Sequence, residues 1–211
     1  FPFRAAAVDA ESRDLAEVTM RVNRPEEAIE IPDIDRPAFL SLNRGYSFYG
    51  KVVHDAPESE ILLQARKDPD TVNRFISFTR FAEREVLRLL RDPVAEPSGD
   101  FTSLWAELLA DSRLMDLAGG QFLTLFESVE DPGFSHHYSA LHGARLRLLR
   151  SVAVRHGPLL REVYSRYGTG SRPDLPYVEA RVQAIRARQV KNACLEVLAE
   201  CSVHGVEGVQ I

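Results

Sequence analysis

Only two cysteines, Cys194 and Cys201, occur among the 211 residues. They stand seven positions apart in what reads as one helix, which puts them on one face about two turns, or roughly 10 Å, from each other. A disulfide needs Cα atoms within about 7 Å. The pair therefore excludes a cross-linked scaffold and reads as two buried apolar thiols in a reducing compartment. Long apolar runs are missing too: nothing reaches the roughly 18 residues that a membrane-spanning helix requires. Charge of one sign is also scarce, since 26 basic and 31 acidic residues are mixed along the chain for a net charge of -5. Without a basic stripe to neutralise phosphates, nucleic acid is excluded as a partner. Phe1 to Val8 contains neither an initiator Met nor the charged and apolar regions of a signal peptide. It reads as a cut made inside a longer chain.

What is present is a hydrophobic content of 45%, enough for one good core or two modest ones. From Ala16 to about Val53 the texture is that of strands. Glu17 to Val22 alternates, and Ala28-Ile29-Glu30-Ile31 alternates again after Arg24-Pro25. Pro32 and Pro37 bracket a loop before Phe39 to Leu42 and Tyr46 to Tyr49, with Gly45 and Gly50 as punctuation. Three or four short strands do not close a sandwich alone.

After Asp55-Ala56-Pro57 the period changes to that of helices. Glu58 to Lys67 predicts a short helix, and Asp70 is a good N-cap for a second running to about Leu90. Its inward positions are expected to be Val72, Phe75, Ile76, Thr79, Ala82, Val86, Leu87 and Leu90. Further helices are expected over 101–111, 114–126 with a break at Gly119-Gly120, 136–155, 158–167 and 174–199. Trp105, Phe122 and Phe126 recur at helical spacing and read as core. The pattern predicts a mainly α fold, a helical array of antiparallel pairs joined by short loops, preceded by a β segment whose strands either pair with strands from outside this sequence or fold as a small sheet against the helices. Residues 1–57 form the β segment and 58–211 the helical domain. No fixed-period sequence repeat is legible.

Candidate chemistry is thin. His136, His137 and His142 offer spacings of one, five and six, whereas two helical ligands to one ion want three or four with a carboxylate base between them. They read as helix-start and surface histidines. His156 precedes Gly157-Pro158 at an expected helix end, where the macrodipole favours a cation. His54 and His204 have no nucleophile paired to them. Gly119-Gly120 and Gly168-Thr169-Gly170 lack the Lys-Ser/Thr of a phosphate loop and read as helix breaks. More suggestive is the basic run Arg145, Arg147, Arg150, Arg155 and Arg161, spread over two neighbouring helices. It is either a solvated face whose Arg stems cover apolar surface, or a face that meets an acidic partner or a substrate carboxylate. No catalytic, cofactor-binding or metal-binding constellation is complete within the chain.

Three segments carry a resemblance. Leu40-Ser41-Leu42-Asn43-Arg44-Gly45-Tyr46-Ser47 resembles the Ser-Leu-Leu-Arg-Gly-Phe-Ser run in the C-terminal half of aminopeptidase N. Asp68-Pro69-Asp70-Thr71-Val72-Asn73-Arg74-Phe75 resembles that family's Asp-Ser-Asp-Pro-Phe-Asn-Arg-Trp segment. Lys191-Asn192-Ala193-Cys194-Leu195 is similar to its Arg-Asn-Ala-Cys-Leu helix, and the three occur in the family's order. Departures are Phe48-Tyr49-Gly50 where the family continues Ala-Pro-Val, and Phe75 where Trp is usual.

The resemblance implies a small Ig-like β-sandwich domain followed by an armadillo/HEAT-like superhelix, together forming the C-terminal portion of a zinc-dependent aminopeptidase. The family's HExxH helix and Gly-Ala-Met-Glu-Asn motif are missing from this sequence, so the zinc would belong to the parent enzyme and none to this chain. By the same resemblance, the partners are a catalytic domain of the same polypeptide and the peptides it hydrolyses. The helical array would cap the cleft and limit peptide access, with Arg147 and Arg150 as substrate-binding residues. Membranes are not expected as partners, and the free thiols point to the cytoplasm. The alternative is a stand-alone helical module that binds proteins and has no enzymatic activity.

Overall fold

The computed structural model describes residues 1–31, 33–168 and 174–202, the last two by backbone alone. Within these residues the chain packs as two compact units, residues 1–81 and residues 82–211.

Unit one contains a three-stranded antiparallel sheet in the order β2-β1-β3, formed by β1 (Pro2–Val8), β2 (Asp14–Arg21) and β3 (Phe39–Leu42). Glu17 to Val22 therefore falls largely within β2, and Phe39 to Leu42 is β3 as expected. The central strand is a correction, because β1 occupies the stretch read only as a chain start. Its Ala5-Ala6-Ala7 run has little intrinsic strand preference. Pairing on both edges determines it: Ala5 lies opposite Val18 on one side and Leu42 on the other. Ala6, Val8 and Phe39 form a small core with Ala38 and Leu63 packed against it. Two expected strands do not form. Residues 28–31 have no sheet partner and expose Ile29, and the stretch from Arg44 to Tyr46 is a 3-10 turn with Gly45 and Tyr46 at positive φ. Alternation specifies a strand only where an edge and a core receive it.

Helix α1 (Glu58–Lys67) follows, placing Ile61, Leu62 and Ala65 inward as expected. Helix α2 (Thr71–Arg91) agrees in extent with the expectation but is turned on its axis. Val72 and Ile76 are 41% and 40% exposed, whereas Asn73, Ser77, Phe78, Phe81, Ala82, Glu85, Val86 and Leu89 are buried. Three polar residues lie on the buried face, each with hydrogen-bond partners, so counting apolar positions alone set the wrong phase. Glu85 shows how this works. Burial would raise its pKa, but hydrogen bonds from Arg88 and from the Ser98 amide outweigh that and hold it below the usual carboxylate range.

Unit two continues with α3 (Gly99–Ala110), α4 (Ser112–Ala118), a 3-10 turn over Gly120–Leu123, α5 (Tyr138–Arg166) and α6 (Tyr177–Ser202). Ser98 caps α3 by accepting from the Phe101 amide, and Asp111 caps α4 by accepting from the Leu114 amide. α5 packs against α3 and α6. The two helices expected over 136–155 and 158–167 are one kinked element, with His156 at φ -125 and ψ 22 and Pro158 inside. Proline removes an N–H and crowds the carbonyl four residues back, which bends a helix without having to end it. α6 crosses directly over Gly119 and Gly120: the missing side chain of Gly120 leaves room for the Gln189 and Val190 backbone, and that of Gly119 for the Gln189 side chain and the Arg186 backbone. Trp105 and Phe122 are core residues as expected, but Phe126 is 48% exposed. No helix among the described residues is long and apolar enough to cross a membrane.

Candidate functional site

Two of the three signature segments meet in a single buried polar cluster in unit one. Ser41 on β3 uses its hydroxyl to capacity: it donates to Asp68 Oδ1 and accepts from Arg44 Nε and Asn73 Nδ2, each at 2.9 Å. The two remaining Arg44 nitrogens form a fork onto Asp14 at 2.6 and 2.7 Å. Asp70 accepts from the Gly45 amide at 2.6 Å through Oδ2, while its Oδ1 caps α2 by accepting from the amides of Val72 and Asn73. Gln64 on α1 donates to the Leu40 carbonyl and accepts from Ser77 Oγ. This arrangement ties β3, the 3-10 turn, α1 and α2 together. Its donors and acceptors are occupied by one another, which makes it a positioning device rather than a reactive centre.

One atom is left over. Asp68 Oδ2 is buried without a hydrogen-bond partner among the described residues. Burial pushes the Asp68 carboxyl up to about 6, against the pull of the Asp70 amide, Ser41 and Arg44. The folded chain therefore holds this proton more tightly than the unfolded chain does. That contribution is complete below the ordinary aspartate pKa and is lost as the pH rises to about 6, on the order of 3 kcal/mol in all. Asp68→Asn keeps an oxygen for Ser41 and carries no charge. Relative to the parent chain, its stability should therefore rise by a few kcal/mol between pH 4 and pH 7. Urea unfolding of both proteins at the two pH values checks this, and a difference independent of pH would count against it.

In unit two, the arginines expected as substrate contacts line a groove of about 450 Å³. One wall is Leu89 and Leu90 of α2 with Pro93, and the other is the face of α5 that bears Ala140, Gly143, Ala144, Leu146, Arg147 and Arg150. Arg147 donates to the Ala95 carbonyl. Arg150 Nε is buried without a hydrogen-bond partner among the described residues. The rest of the basic run lies elsewhere. Arg145 is bound to the Leu125 carbonyl and paired with Glu196 and Glu127, and Arg155 donates to Thr102 Oγ1.

The histidines stay apart. His137 precedes α5 and stacks edge-on with Phe134, and His142 pairs with Glu127 at 2.9 Å. His156 lies at the kink inside α5 and not at a helix end. Burial, then the neighbouring Arg155, lower its pKa, which corrects the expectation of a helix-terminal cation. Cys194 is a free, buried thiol pushed up to about 12 by burial, too high to act as a nucleophile. The Cys201 side chain, Thr169, Gly170 and His204 lie outside the described residues. Among the described residues, no three His, Cys, Asp or Glu side chains converge in a group that could hold a metal ion. Sequence reasoning missed the polar cluster because its members are scattered from Asp14 to Ser77. The only signal was that two of its segments coincide with the family signatures.

The helical architecture has a counterpart among known proteins. A family model described as a domain of unknown function, DUF3458_C, with ARM repeats, matches residues 58–208. The match covers well over half of the chain, and the chain belongs to this family. No curated protein matches it. Among solved structures it is similar to aminopeptidase A of Legionella pneumophila, crystallised in complex with aspartic acid, at 17% sequence identity and a TM-score of 0.79. That likeness covers 96% of this chain and 24% of the Legionella chain, so this chain spans about a quarter of that relative's length. Family and fold agree with the expected mainly α architecture of stacked helix pairs, here an ARM-repeat array.

Proposed function

We propose that the chain is the non-catalytic C-terminal portion of a zinc-dependent aminopeptidase, in which the ARM-repeat helices cap the catalytic cleft and limit which peptides enter. The observation that carries this reading is the likeness of 96% of the chain to about a quarter of the Legionella aminopeptidase A chain, beside the ARM-repeat family match over residues 58–208. It is supported by the two signature segments folding into one cluster around Ser41. The zinc, the carboxylate base and the groups that hold a substrate's free amine would come from a catalytic domain of the same polypeptide. The described residues offer no donor set that fits a metal ion. In this reading, residues 1–57 contribute strands to an Ig-like sandwich completed by that polypeptide, and the enzyme works in the cytoplasm. Arg147 and Arg150 face the far end of longer peptides.

Two experiments test the proposal. Removing the helical domain from the full-length enzyme should leave hydrolysis of a single-residue chromogenic amide within a few-fold, while longer polypeptides become accepted more freely. Unchanged size selectivity would argue against a cap. Reversing both charges, Arg147→Glu with Arg150→Glu, should raise KM for peptides of six or more residues by about tenfold with kcat and dipeptide kinetics preserved. Equal effects on short and long substrates would count against the arginine role.

A stand-alone interaction module remains the second reading, favoured by the exposed Tyr177, Val178, Val182 and Ile185 on α6. An HExxH helix encoded upstream of Phe1 decides for the enzyme.

A further inference from the structure

The first half of α6 carries an apolar row on its outer side. Val178, Val182 and Ile185 are spaced by four and three residues and are 70%, 37% and 42% exposed. By helical geometry the row lies roughly 140° around α6 from the direction of Val190, Cys194, Val197 and Leu198, which face the core. Further along, the same row continues as Gln189, Asn192 and Glu196. The apolar part is therefore a local patch and not the edge of the core.

Charge flanks the patch. Arg181 and Arg188 are both exposed and stand seven residues apart, so they share one flank of the row. The Arg181 guanidinium lies over the Tyr177 ring, 5.9 Å from its centroid, which holds it on that flank. On the other flank Arg186 donates to the Asp116 carbonyl. Between Val178 and Arg188 the helix bears three arginines against the single carboxylate of Glu179. The chain as a whole has a net charge of -5, so this basic strip stands against the protein's own balance.

These features select an occupant. A helix that lies on a membrane uses a broad face of large apolar side chains, and one row of Val, Val and Ile is too narrow for that. Two copies of α6 do not suit each other. Packed antiparallel, Arg181 and Arg188 of one copy meet the same residues of the other, and packed parallel they meet Arg186, which sets cation against cation. A narrow seam with charged flanks is the geometry by which one helix receives another, the flanks choosing the partner by charge.

We propose that the outer face of α6 docks an amphipathic helix of a partner protein, its apolar seam against Val178, Val182 and Ile185 and its carboxylates along Arg181 and Arg188. The inference does not depend on the proposed catalytic parent. Its test reads binding, so loss of turnover bears on that parent alone.

The experiment is calorimetric titration of the 211-residue chain with a three-heptad peptide that has leucine at its seam and glutamate on both edges. A twin peptide with lysine in place of each glutamate is the control. The glutamate peptide should bind about tenfold more tightly than its twin, although the protein's net charge favours the twin. Arg181→Glu with Arg188→Glu should reverse the preference, and Val182→Glu should abolish binding. Both changes are at exposed positions, and an unchanged urea midpoint verifies that each variant folds. No binding, equal binding of the two peptides, or binding indifferent to Val182→Glu would overturn the proposal. Capture by phosphatidylglycerol vesicles or self-association, either one lost in Val182→Glu while the glutamate peptide fails to bind, would overturn it in favour of a membrane or a second copy.

Discussion

Gly120→Ala is expected to cost about 3 kcal/mol or more, although it adds a single methyl group. A Cβ at that position would lie 2.5 Å from the Gln189 carbonyl carbon and 2.8 Å from Val190 Cα, with the Gln189 oxygen nearer still. These are backbone atoms in the middle of α6, so no side chain can rotate out of the way. Either α6 moves off the 3-10 turn or the turn itself shifts, and both disturb the contacts of buried Val190 and Cys194. Gly143→Ala is the matched control. The same methyl group meets nothing there, and alanine in a helix interior is favoured over glycine by about 1 kcal/mol. The two variants should therefore move the urea midpoint in opposite directions. A destabilisation of Gly120→Ala below about 1 kcal/mol would contradict the α6 contact described above.

Ser41→Ala is the second large effect, expected at about 3 to 5 kcal/mol. The hydroxyl serves three groups at once, and all of them are buried. Its removal leaves Arg44 Nε and Asn73 Nδ2 without an acceptor and takes a donor from Asp68. The cost is therefore that of several orphaned polar groups and not of one hydrogen bond. Ser41→Ala combined with Asn73→Leu removes one orphan and should recover part of the loss. Strict additivity of the two changes would show that the cluster is not coupled in the way its geometry indicates.

The helical half was the more legible in the sequence because its signals are local. Asp70, Ser98 and Asp111 are side-chain caps at the starts of α2, α3 and α4, and α1 placed Ile61, Leu62 and Ala65 correctly. The sheet was less legible because its central strand is built on Ala5-Ala6-Ala7 and is specified by partners on both edges. The phase of α2 was hidden for the opposite reason: Asn73, Ser77 and Glu85 look like surface residues until their partners, Ser41, Gln64 and Ser98, are brought to them. Pro158 was read as an end and is a kink. At the groove, the arginines stood out by their charge. The free space beside Gly143 and the buried, unpartnered Nε of Arg150 are properties of packing that no sequence pattern records.

The most direct test of a non-catalytic aminopeptidase domain compares this 211-residue chain with the full-length product of the same gene. Both are purified alike and assayed for bound zinc and for hydrolysis of an alanine or leucine chromogenic amide. The account predicts stoichiometric zinc and turnover in the full-length protein and neither in the shorter chain. Zinc or turnover in the shorter chain alone would contradict it, as would a full-length protein with neither.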